Sequence, residues 1–207
     1  MTRTRRLLPL CLAIVLGVSA CGNLGAPAPR AALFDLGLVE PLDPPAPAVP
    51  ASLEVRAPSW LSYTAMQYRL EYHQPARRDA FLESRWVSPP AEMLRQALDR
   101  ALVANVVPTN ECRLHVDLDE FVQVFDSARS SHAEIAARAA LLPARSDGVL
   151  VRQTFVVRQP TPTADAPGGV IAHRRAVQDL AQQLAAWLDG LDRDRGQGLN
   201  TMDRCRP

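Results

Sequence analysis

Three successive runs of alternating residues between positions 114 and 158 constrain this 207-residue chain more than any other feature. Successive side chains of a strand point to opposite faces, so a period of two marks a strand with one buried face. In residues 114–124, Leu114, Val116, Leu118, Val122 and Val124 fall on one face, with only Glu120 out of character. In residues 131–142, Ala133, Ile135, Ala137, Ala139 and Leu141 share a face, and in residues 149–158 Val149, Val151, Phe155 and Val157 do so. Asp147-Gly148 predicts a tight turn, and therefore a hairpin between the last two runs. Such a meander pairs antiparallel and leaves one face open to solvent.

Upstream, "MQYRLEYH" at 66–73 alternates in the same way, with Met66, Tyr68, Leu70 and Tyr72 on the apolar face. "RDAFLESRW" continues as a strand after the turn at Gln74-Pro75. "AALFDLGL" at 31–38 and "SLEVRAPSWL" at 52–61 read as two further strands, the second ending at Pro58. Two helices complete the set. Residues 88–106 carry Leu94, Ala97, Leu98, Ala101 and Leu102 at helical spacing, with Ser88 as a cap and prolines in the first turn. Residues 166–190 present Val177, Leu180, Ala181, Leu184, Trp187 and Leu188 on one face, with Gly190 at the C-cap position. The fold class that follows is α+β: a single, mostly antiparallel sheet with two main helices packed on one face.

The N-terminus is a different kind of segment. Arg3, Arg5 and Arg6 precede a short apolar run from Leu7 to Gly17, then the small residues Val18, Ser19 and Ala20. This is the pattern of a secretory signal, and the run is too short to span a bilayer. Val18-Ser19-Ala20-Cys21 resembles a bacterial lipobox, which implies cleavage before Cys21 and acylation of its sulfur and new amino group. Several acyl chains on one residue anchor firmly where one chain binds reversibly. Residues 22–51 are rich in alanine and proline and read as a polyproline-like spacer that holds one short strand. The expected organisation is a signal over 1–20, a lipidated tether over 21–51, one domain over 52–190 and a polar tail over 191–207.

Charge and cysteine usage narrow the function. The formal net charge is +1, and losing the three signal arginines leaves the mature chain at −2. No basic stripe for phosphate backbones is present, which argues against nucleic acid. Of the four cysteines, Cys11 leaves with the signal and Cys21 takes lipid. Cys112 and Cys205 remain, in an oxidising compartment. They either form a disulfide that pins the C-terminal tail or stay as two free thiols.

No catalytic constellation is legible. His73, His115, His132 and His173 lack metal-ligand spacing. His115, Asp117 and Asp119 share one strand face, but an alternating strand with a wet face gives the same pattern without a metal. Gly168-Gly169 precedes a helix, where either a weak anion site or a simple loop-to-helix joint is compatible with the residues. Phosphate-loop, dinucleotide and G-x-S-x-G signatures are absent. The expectation is a non-enzyme without metal or dissociable cofactor, carrying only covalent diacylglycerol and an N-acyl chain on Cys21.

The order of these elements resembles the ABC-type transport auxiliary lipoproteins, the group that includes paraquat-inducible protein C-like outer-membrane lipoproteins. The resemblance runs from about residue 18 to 188. It rests on the lipobox through Cys21, "LFDLG" at 33–37, "VRAPSWL" at 55–61, "MQYRLEY" at 66–72 and "SRWVSPPAEML" at 84–94. It implies a lipoprotein on the periplasmic face of the outer membrane. The implied partner is a substrate-binding protein with a mammalian-cell-entry domain, in a system that moves lipids between membranes. A homo-oligomeric ring is compatible with a hollow partner of that kind. Trp60, Leu61, Arg85 and Trp86 are the docking candidates, because tryptophan and arginine are enriched at binding hot spots. The alternative is an envelope structural or assembly lipoprotein with a protein or glycan partner.

Overall fold

The computed structural model describes residues 30–43, 49–103, 108, 111–191 and 204–205. The signal segment, Cys21, residues 104–106 of the expected first helix and most of the C-terminal tail lie outside the described residues. Seven strands form one sheet: β1 (Ala32–Phe34), β2 (Ser52–Arg56), β3 (Ala65–Leu70), β4 (Asp79–Trp86), β5 (Arg113–Ser127), β6 (Ser130–Leu142) and β7 (Val151–Pro160). Helix α1 (Pro90–Leu102) lies between β4 and β5, and helix α2 (Ala166–Gly190) follows β7. The α+β architecture with one sheet is as the patterns predict.

The sheet is mixed, not mostly antiparallel. Its order is β1-β4-β3-β5-β6-β7, with β2 also on β5. The β5–β6–β7 meander and the β3–β4 pair are antiparallel, while β1–β4, β3–β5 and β2–β5 are parallel. The parallel pairs have a local cause. Between β3 and β5 the chain returns through β4, antiparallel to β3, and then α1, so β5 enters alongside β3 in the same direction. Strands β2 and β3 occupy the two halves of one edge of β5, at Arg113–Asp117 and Gln123–Phe125 respectively. Pro58, which has no N–H to give to a ladder, falls in the break between them.

A bulge overturns the expected phase of β5. Leu118 pairs with Ala137, but Glu120 pairs with Ala136, so Asp119 is the extra residue. Before it, Leu114, Val116 and Leu118 face the helices. After it, Phe121 and Gln123 do so, opposite Ile135 and Ala133. Val122 and Val124 therefore point to the other face, together with Glu120. They are nevertheless buried. Arg69 pairs in register with Val124 and reaches back to Glu120 at 3.1 Å, so its apolar stem spans that stretch.

Other boundaries shift for local reasons. The tight turn is Ala128-Arg129 between β5 and β6, and the β6–β7 connection is the longer 143–150 loop. Tyr72 stands exposed beyond the end of β3, where His73 and Gln74 donate to the Leu70 carbonyl. Pro89, not Ser88, is the cap residue of α1, and the Ser88 hydroxyl donates to the Glu92 carboxylate. Gly190 closes α2 as a helical residue, with Leu191 as its cap.

Of the segment expected as tether, residues 31–43 and 49–51 pack with the domain. The compact unit begins at Ala31. β1 adds to the edge of β4, and then Asp35 accepts a 2.7 Å bond from the Gly37 amide. Gly37 has φ +63°, a left-handed conformation open to glycine, and this bend ends the strand. Leu36, Val39 and Leu42 are buried, and the Leu42 amide donates to the Ala101 carbonyl at the end of α1 at 3.1 Å. Residues 35–43 thus form a strap over the helices. Cys112 and Cys205 are disulfide-bonded with Cα atoms 4.8 Å apart, and the Glu111 amide donates to the Cys205 carbonyl. The tail is held there against β5.

Candidate functional site

Trp60 is presented by construction. It lies in a short 3-10 turn, Ser59–Leu61, between β2 and β3. Leu61 is 1% exposed and anchors the turn in the core, while the neighbouring Trp60 is 52% exposed. The Gln67 side-chain amide donates to the Trp60 carbonyl at 2.6 Å. Gln67 in turn accepts from Arg78 at 3.0 Å, and Arg78 binds Glu120. A chain of polar contacts therefore ties the tryptophan turn to the outer face of the sheet just past the bulge.

A groove of about 360 Å³ runs beside Trp60, lined by Arg56, Pro58, Asp117, Asp119 and Arg138. Its two arginines are each held by a carboxylate. Arg138 donates to both Asp119 oxygens at 2.7 and 2.8 Å, a fork-to-fork geometry. Arg56 grips Glu54 in the same way at 2.7 and 2.8 Å. The hydrogen bond from Arg56 holds the Glu54 carboxyl below its ordinary value, against a smaller opposing effect of burial. The carboxylate hydrogen bonds raise the Arg56 and Arg138 guanidiniums further. His115 Nε2 lies 3.2 Å from Glu54 as well. His115 and Asp119, two of the three residues that share a face in the sequence pattern, thus lie against Glu54 and Arg138 respectively.

The four docking candidates are not gathered into one patch. Trp86 is 2% exposed, its ring centroid 5.5 Å from both Phe121 and His173. It is a core residue, as is Leu61, and neither presents surface to a partner. Arg85, next to Trp86 on β4, points to the opposite face, in register with Leu33 and Ala65. Trp60 and Arg85 remain on the outer side of the sheet.

Gly168-Gly169 is a joint. Asp165 caps α2, its carboxylate accepting from the Gly168 amide at 2.8 Å and its carbonyl from the Gly169 amide. A Cβ on Gly168 would lie 2.1 Å from the Thr163 carbonyl oxygen, and one on Gly169 2.1 Å from Gln123 Oε1. The two glycines let the helix start against β5. Sequence reading missed Glu120 as the centre of the Arg69–Arg78 cluster, although its polarity amid an apolar alternation was the available signal of the bulge.

A single sheet backed by two helices, a disulfide from Cys112 to Cys205 and an exposed tryptophan on the open face characterise the domain. The chain belongs to the ABC-type transport auxiliary lipoprotein family, whose model matches residues 34–185. Protein XCC0632 from Xanthomonas campestris, a DUF330 structure, has a similar fold: 20% identity and TM-score 0.67, over 79% of this chain and 99% of that one. The crystal structure of an uncharacterised protein superimposes with TM-score 0.59 at 12% identity, over 77% of this chain and 99% of the other. No curated protein matches the chain in sequence. Among the described residues no helix is long and apolar enough to cross a membrane.

Proposed function

We propose that this chain is the non-catalytic, outer-membrane-anchored member of an ABC-type system that moves lipids or related organic solutes across the envelope. Cys21 holds it by covalent lipid to the periplasmic face. The open sheet face around Trp60 docks a substrate-binding partner with a mammalian-cell-entry domain. Family membership supports the transport setting. The observation that carries the docking surface is Trp60 itself, half-exposed on a rigid turn beside a groove whose two arginines are each held by a carboxylate. A large aromatic fixed in place loses little entropy on binding, which is what hot-spot residues supply.

The test is affinity purification from mildly cross-linked native membranes, with proteins and lipids identified by mass spectrometry. Recovery of a mammalian-cell-entry-domain protein with its permease or ATPase is the expected result. Recovery of wall or outer-membrane assembly proteins without any such subunit would replace this reading with a structural role. Cys21→Ala is expected to release the chain from the membrane fraction; retention without acyl label would overturn the anchor.

A further inference from the structure

The arginines of the two layers are used differently. Every ion pair between described residues joins side chains of the strands and their connecting turns. On the helical side, Arg100, Arg174 and Arg175 make no ion pair among the described residues. They border the strap. Leu38, at its crest, is 72% exposed, and Ile171 on α2 is exposed beside it. A hollow of about 500 Å³ lies between residues 38–41 and the Ile171–Gln178 stretch of α2. A second of about 310 Å³ lies on the other flank of Leu38, toward Val87 and Arg100. Two acids, Asp35 and Glu40, lie along these hollows against the three arginines.

Leu38 is held out deliberately. Leu36 and Val39 on either side of it are buried, and Gly37 makes the bend at positive φ. The Arg174 guanidinium packs over Gly37, where an added Cβ would meet it at 3.1 Å. The result is a rigid apolar knob among arginines that make no ion pair among the described residues.

We propose that this strap face rests on the surface of a bilayer containing anionic phospholipid, with Leu38 and Ile171 entering the interface and Arg174, Arg175 and Arg100 on the phosphates. Apolar side chains ringed by basic ones are the composition of interfacial segments. Arginine suits phosphate, being planar, weakly hydrated and able to donate two bonds at once. Chain order agrees. The unit begins at Ala31 and Leu38 follows closely. The ten residues from Cys21 to Ala31 can span no more than about 35 Å even fully extended. Some face of the domain must then lie near the leaflet. This rests on the anchored reading given above. It leaves Trp60, on the open side of the sheet, turned toward the periplasm.

The test uses the acylated full chain reconstituted into vesicles of phosphatidylethanolamine and phosphatidylglycerol, with a nitroxide label at Leu38→Cys or, as control, at Leu82→Cys. Leu82 is exposed on the outer face of the sheet. Flotation scores the anchor, and relaxation by a water-soluble nickel complex against oxygen scores the face. The expected result is shielding from nickel at position 38, full exposure at 82, and loss of the shielding in phosphatidylcholine alone. Charge removal by Arg174→Gln and Arg175→Gln should weaken the contact roughly fivefold per arginine. Flotation with both labels open to nickel would overturn the proposal and leave the anchor standing. Failure to float would overturn both. Shielding at 38 that persists without vesicles would put a second copy of the chain on the strap and overturn the lipid contact.

Discussion

Arg78 donates to both oxygens of Glu120, at 2.7 and 2.6 Å, and Arg69 reaches the same carboxylate at 3.1 Å. The three side chains are only a fifth to a quarter exposed. Glu120→Gln keeps the shape and removes the charge, leaving two guanidiniums with a weaker acceptor in a partly dry site. A loss of about 1–3 kcal/mol is expected, read from urea unfolding. Asp119→Asn is the comparison. Its Arg138 partner is more than half exposed, so that change should stay within roughly 0.5 kcal/mol. Equal costs at the two sites would show that burial of the Glu120 cluster contributes nothing.

The two tryptophans flanking β3 and β4 should separate binding from stability. Trp86→Ala removes a ring packed against Phe121 and His173 and should cost about 3–5 kcal/mol. Trp60→Ala removes a half-exposed ring while Leu61 still anchors the turn. It should leave the melting temperature nearly unchanged and weaken partner capture in the cross-linking experiment. A large stability loss from Trp60→Ala with capture intact would make Trp60 part of the core.

Most of the fold was legible because strands and helices declare themselves by period. The β5–β6–β7 meander, both helices and the buried faces of β6 and α2 follow from residues that repeat every second or every third and fourth position. What was not legible has two causes. The first is the bulge. One extra residue at Asp119 transfers Val122 and Val124 to the far face, and the sequence marks this only by a glutamate at a nominally apolar position. The second is long range. Nothing local in "SLEVRAPSWL" says that β2 and β3 will share one edge of β5 in the same direction, or that the proline-rich segment after β1 will bury Leu36, Val39 and Leu42 against helices that begin only at Pro90. The docking candidates show the same limit. A tryptophan before a helix reads alike whether it is core or surface, and the burial of Leu61 is what turns Trp60 outward.

The Cys112–Cys205 bond closes a loop of 93 residues, so in the chain-entropy account it contributes roughly 4–5 kcal/mol. Denatured, unreduced protein from the envelope should show no reactive thiol at either position. Cys205→Ser should lower the urea midpoint by a comparable free energy. Two reactive thiols in the unreduced protein would remove this clip from the fold.

His173 gives the fold a pH dependence with a definite sign. The ring is fully buried between Phe121 and Trp86, at centroid distances of 4.4 and 5.5 Å, and its Nδ1 lies 2.8 Å from the Gly169 carbonyl. Loss of hydration pushes its pKa down to about 4, and the hydrogen bond to Gly169 opposes this only in part. The unfolded chain, with an ordinary imidazole near 6.5, therefore binds more protons than the folded one between about pH 4 and 6.5. Stability rises with pH through that window and is flat above it; falling from its top to its bottom costs about 3 kcal/mol. The measurement is the urea midpoint from pH 4 to 8. His173→Phe fills the same space without a proton and should flatten the profile between pH 4 and 6.5, even where packing changes shift the whole curve. A slope that survives the substitution would assign the acid sensitivity to the carboxylates and would mean that His173 does not supply it.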